Sequence, residues 1–366
     1  MDLIGHLDVV NSICIIVLWI LVFTNRNHIF KDNTNGGTSY FVLWLIATLF
    51  SMFYMPVNGD VYNGYQSYYE YLASGNRHHM EDIYFWLMDH LPHNFYLFRF
   101  VIWGTASFFL VQTFKKLNCQ SPLSTLVFVS SCLIICYYYL RNVLGFSILY
   151  YVVACICTEE RSKGSRNLFR YLWYALLLVA SYFLHRSMPL YYAVVLVALF
   201  LPSNRYVILF LALLLPVVRL VVPSLVNTVM LSGILNQETV ELGSGYLEYS
   251  EGYVYNFMGR LLRVFWLLPY IYVMVLGVFT LPTKRDRRKR PMDVFLLTAL
   301  FLFSSSFLFA DQYSYSLHLR LLNTSFLPMT FFISKYMEDK RENNFGRVFS
   351  LLLIVYYALV LVSRMV

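Results

Sequence analysis

The sequence predicts an all-α protein, a polytopic transmembrane helix bundle with about twelve spans and two longer external loops. Three observations predict it. Hydrophobic residues make up 59% of the chain and charged residues 13%, with a mean hydropathy of +0.58. Soluble domains carry about 25% charged residues and could not hide so much apolar surface. Apolar runs of spanning length recur along the whole chain. Lysine and arginine gather in alternate connections between those runs, the pattern that sets orientation in a bilayer.

A spanning helix needs about 20 apolar residues, with tolerance for tilt and flanking aromatics. Such runs lie near 9–24, 39–55, 95–114, 121–140, 142–158 and 168–184, then near 187–201, 205–222, 261–281, 292–310, 317–334 and 347–363. The first follows Asp2 and Asp8 with no basic segment, which predicts a retained anchor rather than a cleaved signal. Little more than Arg141 separates the fourth run from the fifth, and little more than His185 and Arg186 the sixth from the seventh. Each of these pairs is either a tight external hairpin or one broken helix. Two connections are long: residues 56–94, rich in tyrosine with an apolar stretch from Met80 to Met88, and residues 223–260, acidic and glycine-containing. Both are expected to be external loops carrying short amphipathic helices at the interface. With no internal repeat in view, residues 1–366 read as a single integral membrane domain.

The net charge of +8 does not point to nucleic acid, because in a membrane protein it records cytoplasmic loops held near anionic lipid. Placing alternate connections together gathers Lys115, Lys116, Lys163, the run from Lys284 to Arg290, Lys335 and Lys340 on one side, with every lysine of the chain. That side is assigned to the cytoplasm. The other side, with both termini, keeps only arginines: Arg77, Arg99, Arg141, Arg186, Arg219, Arg260, Arg263, Arg320 and Arg364. Topology needs charge without regard to which cation supplies it. Arginine is preferred where a planar, permanently charged fork must grip phosphate or carboxylate. The plainer reading pairs these arginines with external acids such as Asp60, Glu81, Asp82 and Glu248. The six cysteines lie in apolar runs or, for Cys119, in a short basic loop, so they read as small buried hydrophobes.

Ionisable residues at a membrane boundary are costly and therefore informative. Arg141 follows Tyr137-Tyr138-Tyr139-Leu140, His185 and Arg186 stand between two runs, and His318 and Arg320 open another. Arg260 and Arg263 are one turn apart on one helix face. Together they outline a basic cavity at the external mouth of the bundle. A lipid-linked pyrophosphate suits such a cavity: its isoprenoid tail stays in the bilayer while arginines hold the phosphates and stabilise charge developing on the leaving group. Glycosyl transfer would also need a base for the attacking hydroxyl, and Asp60, Glu81 and His185 are the candidates. Two of them have plainer roles, His185 as a satisfied histidine at a helix end and Asp60 as a turn or N-cap residue. His78, His79, His90 and His93 do not form a metal pattern, since Pro92 interrupts the last pair and no carboxylate has the required spacing.

In order and spacing these residues resemble the EpsG-like family of Wzy-type bacterial polysaccharide polymerases of O-antigen, capsule and exopolysaccharide synthesis. The resemblance lies in Gly59-Asp60-Val61-Tyr62 before a tyrosine-rich segment and the acidic turn Glu81-Asp82, and in Leu140-Arg141-Asn142 with Gly145. It continues in His185-Arg186-Ser187 entering a helix and in Arg320 opening a late one. The family more often shows Arg-Gln with a small residue soon after, where this chain has Arg141-Asn142-Val143-Leu144-Gly145.

The resemblance implies a glycosyltransferase that moves a growing glycan from undecaprenyl pyrophosphate onto the next lipid-linked repeat unit. It implies a multi-pass protein of the bacterial inner (cytoplasmic) membrane with an extracytoplasmic active site. Its partners would be undecaprenyl-pyrophosphate-linked oligosaccharides, the lipid bilayer and, optionally, a chain-length regulator, with no nucleic acid. No cofactor or metal is expected, because the donor arrives lipid-linked and arginine takes the place of a divalent cation. On this expectation Arg141, Arg186, Arg260, Arg263 and Arg320 hold the donor pyrophosphate, and Asp60, Glu81 or His185 orients or deprotonates the acceptor hydroxyl. The rivals are a glycosyltransferase using a polyprenyl-phosphate sugar, a membrane O-acyltransferase and a lipid-linked oligosaccharide flippase. Transporters place their binding groups at the bilayer midplane within repeated halves, which is not the pattern here.

Overall fold

A computed structural model of the chain describes residues 9–14, 16–17, 20, 40–54, 90–91, 94–119, 140–158, 166–185, 187–201, 204–221, 268, 271–272, 274–281, 290–307, 321–340, 348, 351–352 and 355. Among them there is no strand. The principal helices are α1 (Tyr40–Phe53), α2 (Phe95–Lys116), α3 (Leu140–Thr158), α4 (Arg166–Leu184), α5 (Met188–Phe200), α6 (Arg205–Val221), α7 (Pro291–Ser306) and α8 (Phe326–Lys340). Each of α1 to α7 lies on an apolar run, because a helix satisfies its own backbone polar groups and so tolerates apolar surroundings. The predicted run 121–140 lies outside the described residues except for its last position, as do residues 223–260 entirely and residues 56–94 apart from 90–91 and 94. Among the described residues, α2 is the one helix long and apolar enough to cross a bilayer by length and composition; the described apolar stretches of the other helices have 10–17 residues. The described helices therefore do not establish about twelve spans.

The chain divides into two compact units, Met1–Leu196 with Arg290–Met292 and Thr330–Val366, and Val197–Lys289 with Asp293–Met329. The first is built on α2. Asn94 caps its start, Oδ1 accepting from the backbone N–H groups of Tyr96 at 2.9 Å and Leu97 at 3.2 Å. Lys115 and Lys116 fill its last turn, where cations offset the helix dipole. Asn118, with φ 56°, turns the chain in the left-handed conformation as the Cys119 N–H bonds back to the Phe114 carbonyl at 3.0 Å.

Helix α1 runs antiparallel to α2. The Trp44 indole N–H donates to the Gly104 carbonyl at 2.8 Å, and further along α1 the Ser51 and Tyr54 carbonyls meet Arg99 near the start of α2. Helix α3 runs parallel to α2, with the Phe109 and Tyr151 rings 5.5 Å apart and the ends of both helices lining one cavity. Phe331 of α8 wedges between Phe114 at 5.1 Å and Tyr150 at 5.9 Å.

Helix α4 turns one face inward and one outward. Tyr174, Leu177, Ser181 and Leu184 are buried, whereas Leu172, Leu176, Val179 and Phe183 are exposed at helical spacing. In the second unit α6 repeats the pattern, exposing Tyr206, Phe210, Leu213 and Val217. Such stripes are untenable in water and natural against lipid tails. Helix α7, apolar all round, is buried from Val294 to Leu302.

The broken-helix alternative at His185 is settled by a hydrogen bond. The Tyr192 hydroxyl donates to the Leu178 carbonyl at 2.8 Å across a separation of 14 residues, which would be about 21 Å on a continuous helix. The chain therefore reverses, and α4 and α5 form a tight hairpin.

Sequence and structure differ at the predicted run 317–334. A helical stretch over 321–324 ends at Ser325, and α8 restarts at Phe326 and continues to Lys340. Pro328 has no N–H to give the Thr324 carbonyl. Thr324 and Ser325 bond the carbonyls of Leu321 at 3.0 Å and Leu322 at 2.6 Å with their own hydroxyls. Lys335 and Lys340, expected in the following connection, are helical.

Candidate functional site

The first unit has two chemically distinct ends. Counting back equally from the Phe109–Tyr151 pair along the parallel helices α2 and α3 leads to Arg99 and Arg141 at one level. The turn between α4 and α5 lies at the same end, since α4 packs antiparallel on α3 with Ser181 and Met188 around Gly145. The opposite end carries Lys115, Lys116 and Lys335 around a cavity. Arg99 and Lys115 are thus 16 residues apart along α2, about 24 Å.

At the arginine end the approach of α3 to the α4–α5 hairpin depends on Gly145. A Cβ there would stand 2.9 Å from the Met188 Sδ and 3.5 Å from the Ser181 carbonyl oxygen. Next to it Phe146 meets Tyr191 edge-on with centroids 4.5 Å apart. Arg141 is one helical turn before Gly145 on the same face of α3, and Asn142 is buried. Arg141 accordingly belongs to α3 and not to a connection, whereas His185 does occupy the turn.

Within that turn the His185 ring organises its own backbone. Its Nδ1 accepts from the Ser187 N–H at 3.1 Å and lies 2.6 Å from the Ser187 Oγ. The Met188 N–H bonds the His185 carbonyl at 3.0 Å. With Nδ1 accepting, the proton of the neutral ring resides on Nε2. The Ser181 and Tyr192 hydroxyls, 2.5 Å apart, lock the two helices one turn further in.

Arg99 has a role that sequence reasoning missed. Fully buried, it donates from Nη2 to the Ser51 carbonyl and, at 3.0 Å, to that of Tyr54, while its guanidinium lies 6.0 Å from the Phe95 ring centroid. It clasps the carbonyls at the end of α1, which no intrahelical N–H can reach. In the second unit Arg205 does the same for another helix end, bonding the Phe279 carbonyl and, at 3.1 Å, that of Leu281, with the Phe279 ring 5.5 Å away. The available signal was an arginine inside or opening an apolar run, which demands a partner without naming it.

Of the residues expected in the site, the structure brings together α3 at Arg141 and the turn at His185. Asp60, Glu81, Arg186, Arg260, Arg263 and Arg320 lie outside the described residues.

The chain matches the EpsG family over residues 38–366. No curated protein matches it, and no solved structure does.

Proposed function

The chain belongs to the EpsG family, and from that premise we propose that it is a Wzy-type polysaccharide polymerase. In this reading it transfers a growing glycan from undecaprenyl pyrophosphate to the next lipid-linked repeat unit on the extracytoplasmic face of the bacterial inner membrane. Family membership supports the coarser statement, a membrane protein of polysaccharide biosynthesis. The observation that carries the finer one is the packing at Gly145, which sets the Arg141-Asn142 segment of α3 against the hairpin bearing His185 and Ser187.

The acceptor hydroxyl attacks the anomeric carbon of the donor as the bond to the pyrophosphate oxygen breaks. Arg141, Arg186, Arg260, Arg263 and Arg320 take up the charge left on the pyrophosphate, an interaction that strengthens as the bond breaks and so lowers the barrier. The hydroxyl proton passes to a carboxylate, Asp60 or Glu81. His185, whose Nδ1 is held by the Ser187 N–H, shapes the turn and orients α5 in this scheme. No metal is needed, because the guanidinium forks carry the charge.

The test is the glycan ladder of a cell lacking the gene, complemented with wild type or Arg141→Ala at matched expression. The expected outcome is a single lipid-linked repeat in the null strain, a ladder restored by wild type, and chain extension lowered about 10²–10³-fold by Arg141→Ala. Normal extension by the variant would remove Arg141 from the mechanism. Absence of any repeat from the external face of the null strain would replace polymerisation with lipid-linked oligosaccharide flipping.

A further inference from the structure

One polar side chain of α3 stands apart from the others. Asn142 is only 6% exposed, and among the described residues no hydrogen bond reaches its carboxamide. Hydroxyls on the same helix and on the α4–α5 hairpin are engaged: Ser147 with the Val143 carbonyl at 2.6 Å, Ser181 with Tyr192 at 2.5 Å, and Ser187 with the His185 Nδ1 at 2.6 Å. An amide that gives up water without gaining a partner costs free energy, and leucine, branched at the same carbon, would fill the space without that cost. A buried polar group of this kind calls for an occupant.

The neighbours of Asn142 fix its place. Asn142, Gly145 and Phe146 follow at i, i+3 and i+4 and so share one side of α3. Phe146 meets Tyr191 of α5, and a Cβ at Gly145 would meet Met188 and Ser181. Asn142 is therefore on the side of α3 that faces the hairpin. Since α3 and α4 are antiparallel, the three residues from Gly145 back to Asn142 lead about 4.5 Å nearer the turn at His185. Its neighbour in the chain is Arg141, to which the proposed reaction gives the donor pyrophosphate.

The chemistry of a carboxamide selects the ligand. It offers two donors on Nδ2 and an acceptor in Oδ1. Ionised phosphate oxygens only accept, so they would leave Oδ1 unpaired and are better met by a guanidinium. A sugar hydroxyl both donates and accepts, and so does an acetamido group; either can engage both halves of the amide. The first sugar of a lipid-linked glycan is bonded directly to the pyrophosphate, which brings its substituents beside whatever holds the phosphates.

We propose that Asn142 is a substrate-binding residue that hydrogen-bonds the pyrophosphate-linked sugar of the donor through a hydroxyl or acetamido substituent. This role rests on the polymerase reading of the chain.

The experiment uses the full chain in detergent, with native mass spectrometry reading bound lipid during titration. Two probes are compared: undecaprenyl pyrophosphate without sugar, and the lipid-linked repeat extracted from the null strain. Wild type should bind the repeat about tenfold or more tightly than undecaprenyl pyrophosphate. Asn142→Leu should lose that advantage while binding undecaprenyl pyrophosphate as wild type does, and it should melt at or above the wild-type temperature. Arg141→Ala should weaken both probes. Asn142→Ala gives the same binding readout should the leucine variant fail to fold. An unchanged preference for the repeat in a folded Asn142 variant overturns the role of Asn142 and leaves the polymerase reading standing. Equal weakening of both probes by Asn142→Leu overturns the sugar assignment, and a folded leucine variant that melts well below wild type would show the amide to be paired within the protein. Wild type that binds neither probe would remove the polymerase reading and this role with it.

Discussion

His185 shows how one hydrogen bond separates two roles for the same residue. A histidine between two apolar runs is compatible with a general base or with a turn-forming residue. The Ser187 N–H on Nδ1 at 3.1 Å favours the second. Asparagine places its Oδ1 where histidine carries Nδ1. His185→Asn is therefore expected to keep polymerisation within about threefold, whereas loss of a general base costs about 10²–10⁴-fold. A loss of that size for His185→Asn, at unchanged thermal stability, would make His185 the base. Arg99 is read in the same manner: an arginine within an apolar run could hold a ligand or a helix end, and its bonds to the Ser51 and Tyr54 carbonyls assign it to the end of α1. Replacement by methionine keeps the apolar stem and removes the donors. Arg99→Met should destabilise the protein by about 1.5–3 kcal/mol, the worth of hydrogen bonds to a charged group, measured as unfolding in detergent.

Among the elements, the contact that matters for the site is α3 against the α4–α5 hairpin. Its closeness rests on the absence of a side chain at Gly145, and the neighbour that would have to yield is Met188. Gly145→Ala should cost about 1–3 kcal/mol by overpacking. Combining it with Met188→Ala should cost less than the sum of the two single changes, because the second opens the space that the first needs. A double-mutant cycle on unfolding free energy reads that coupling, and strict additivity would show that the helices do not meet there. The break before α8 has an equally local origin in Thr324, Ser325 and Pro328. Its consequence is to place Lys335 within a helix beside the cavity, which an apolar run ending at 334 gave no reason to expect.

For the whole molecule, the segregation of arginine and lysine to opposite ends of α2 is a statement about orientation. If the lysine end is cytoplasmic, a cysteine at Lys116 will react with a membrane-impermeant maleimide only after permeabilisation, and one at His90 will react in intact spheroplasts; both positions are exposed. The experiment is run with the 6 native cysteines replaced by alanine. Reversed labelling would invert the assignment and move the proposed active site to the cytoplasm. The sequence by itself determined the helical class, the run boundaries of α1 to α6 to within about two residues, and the family, since hydropathy and the spacing of Arg141, Asn142, Gly145 and His185 are local properties of the chain. Only the tertiary structure decided that α4 and α5 reverse at His185, that Arg99 clasps α1, and that Lys335 shares a cavity with Lys115 and Lys116. Those facts join residues far apart along the chain or on opposite sides of a turn. An apolar period records that a helix face is buried without recording which neighbour buries it.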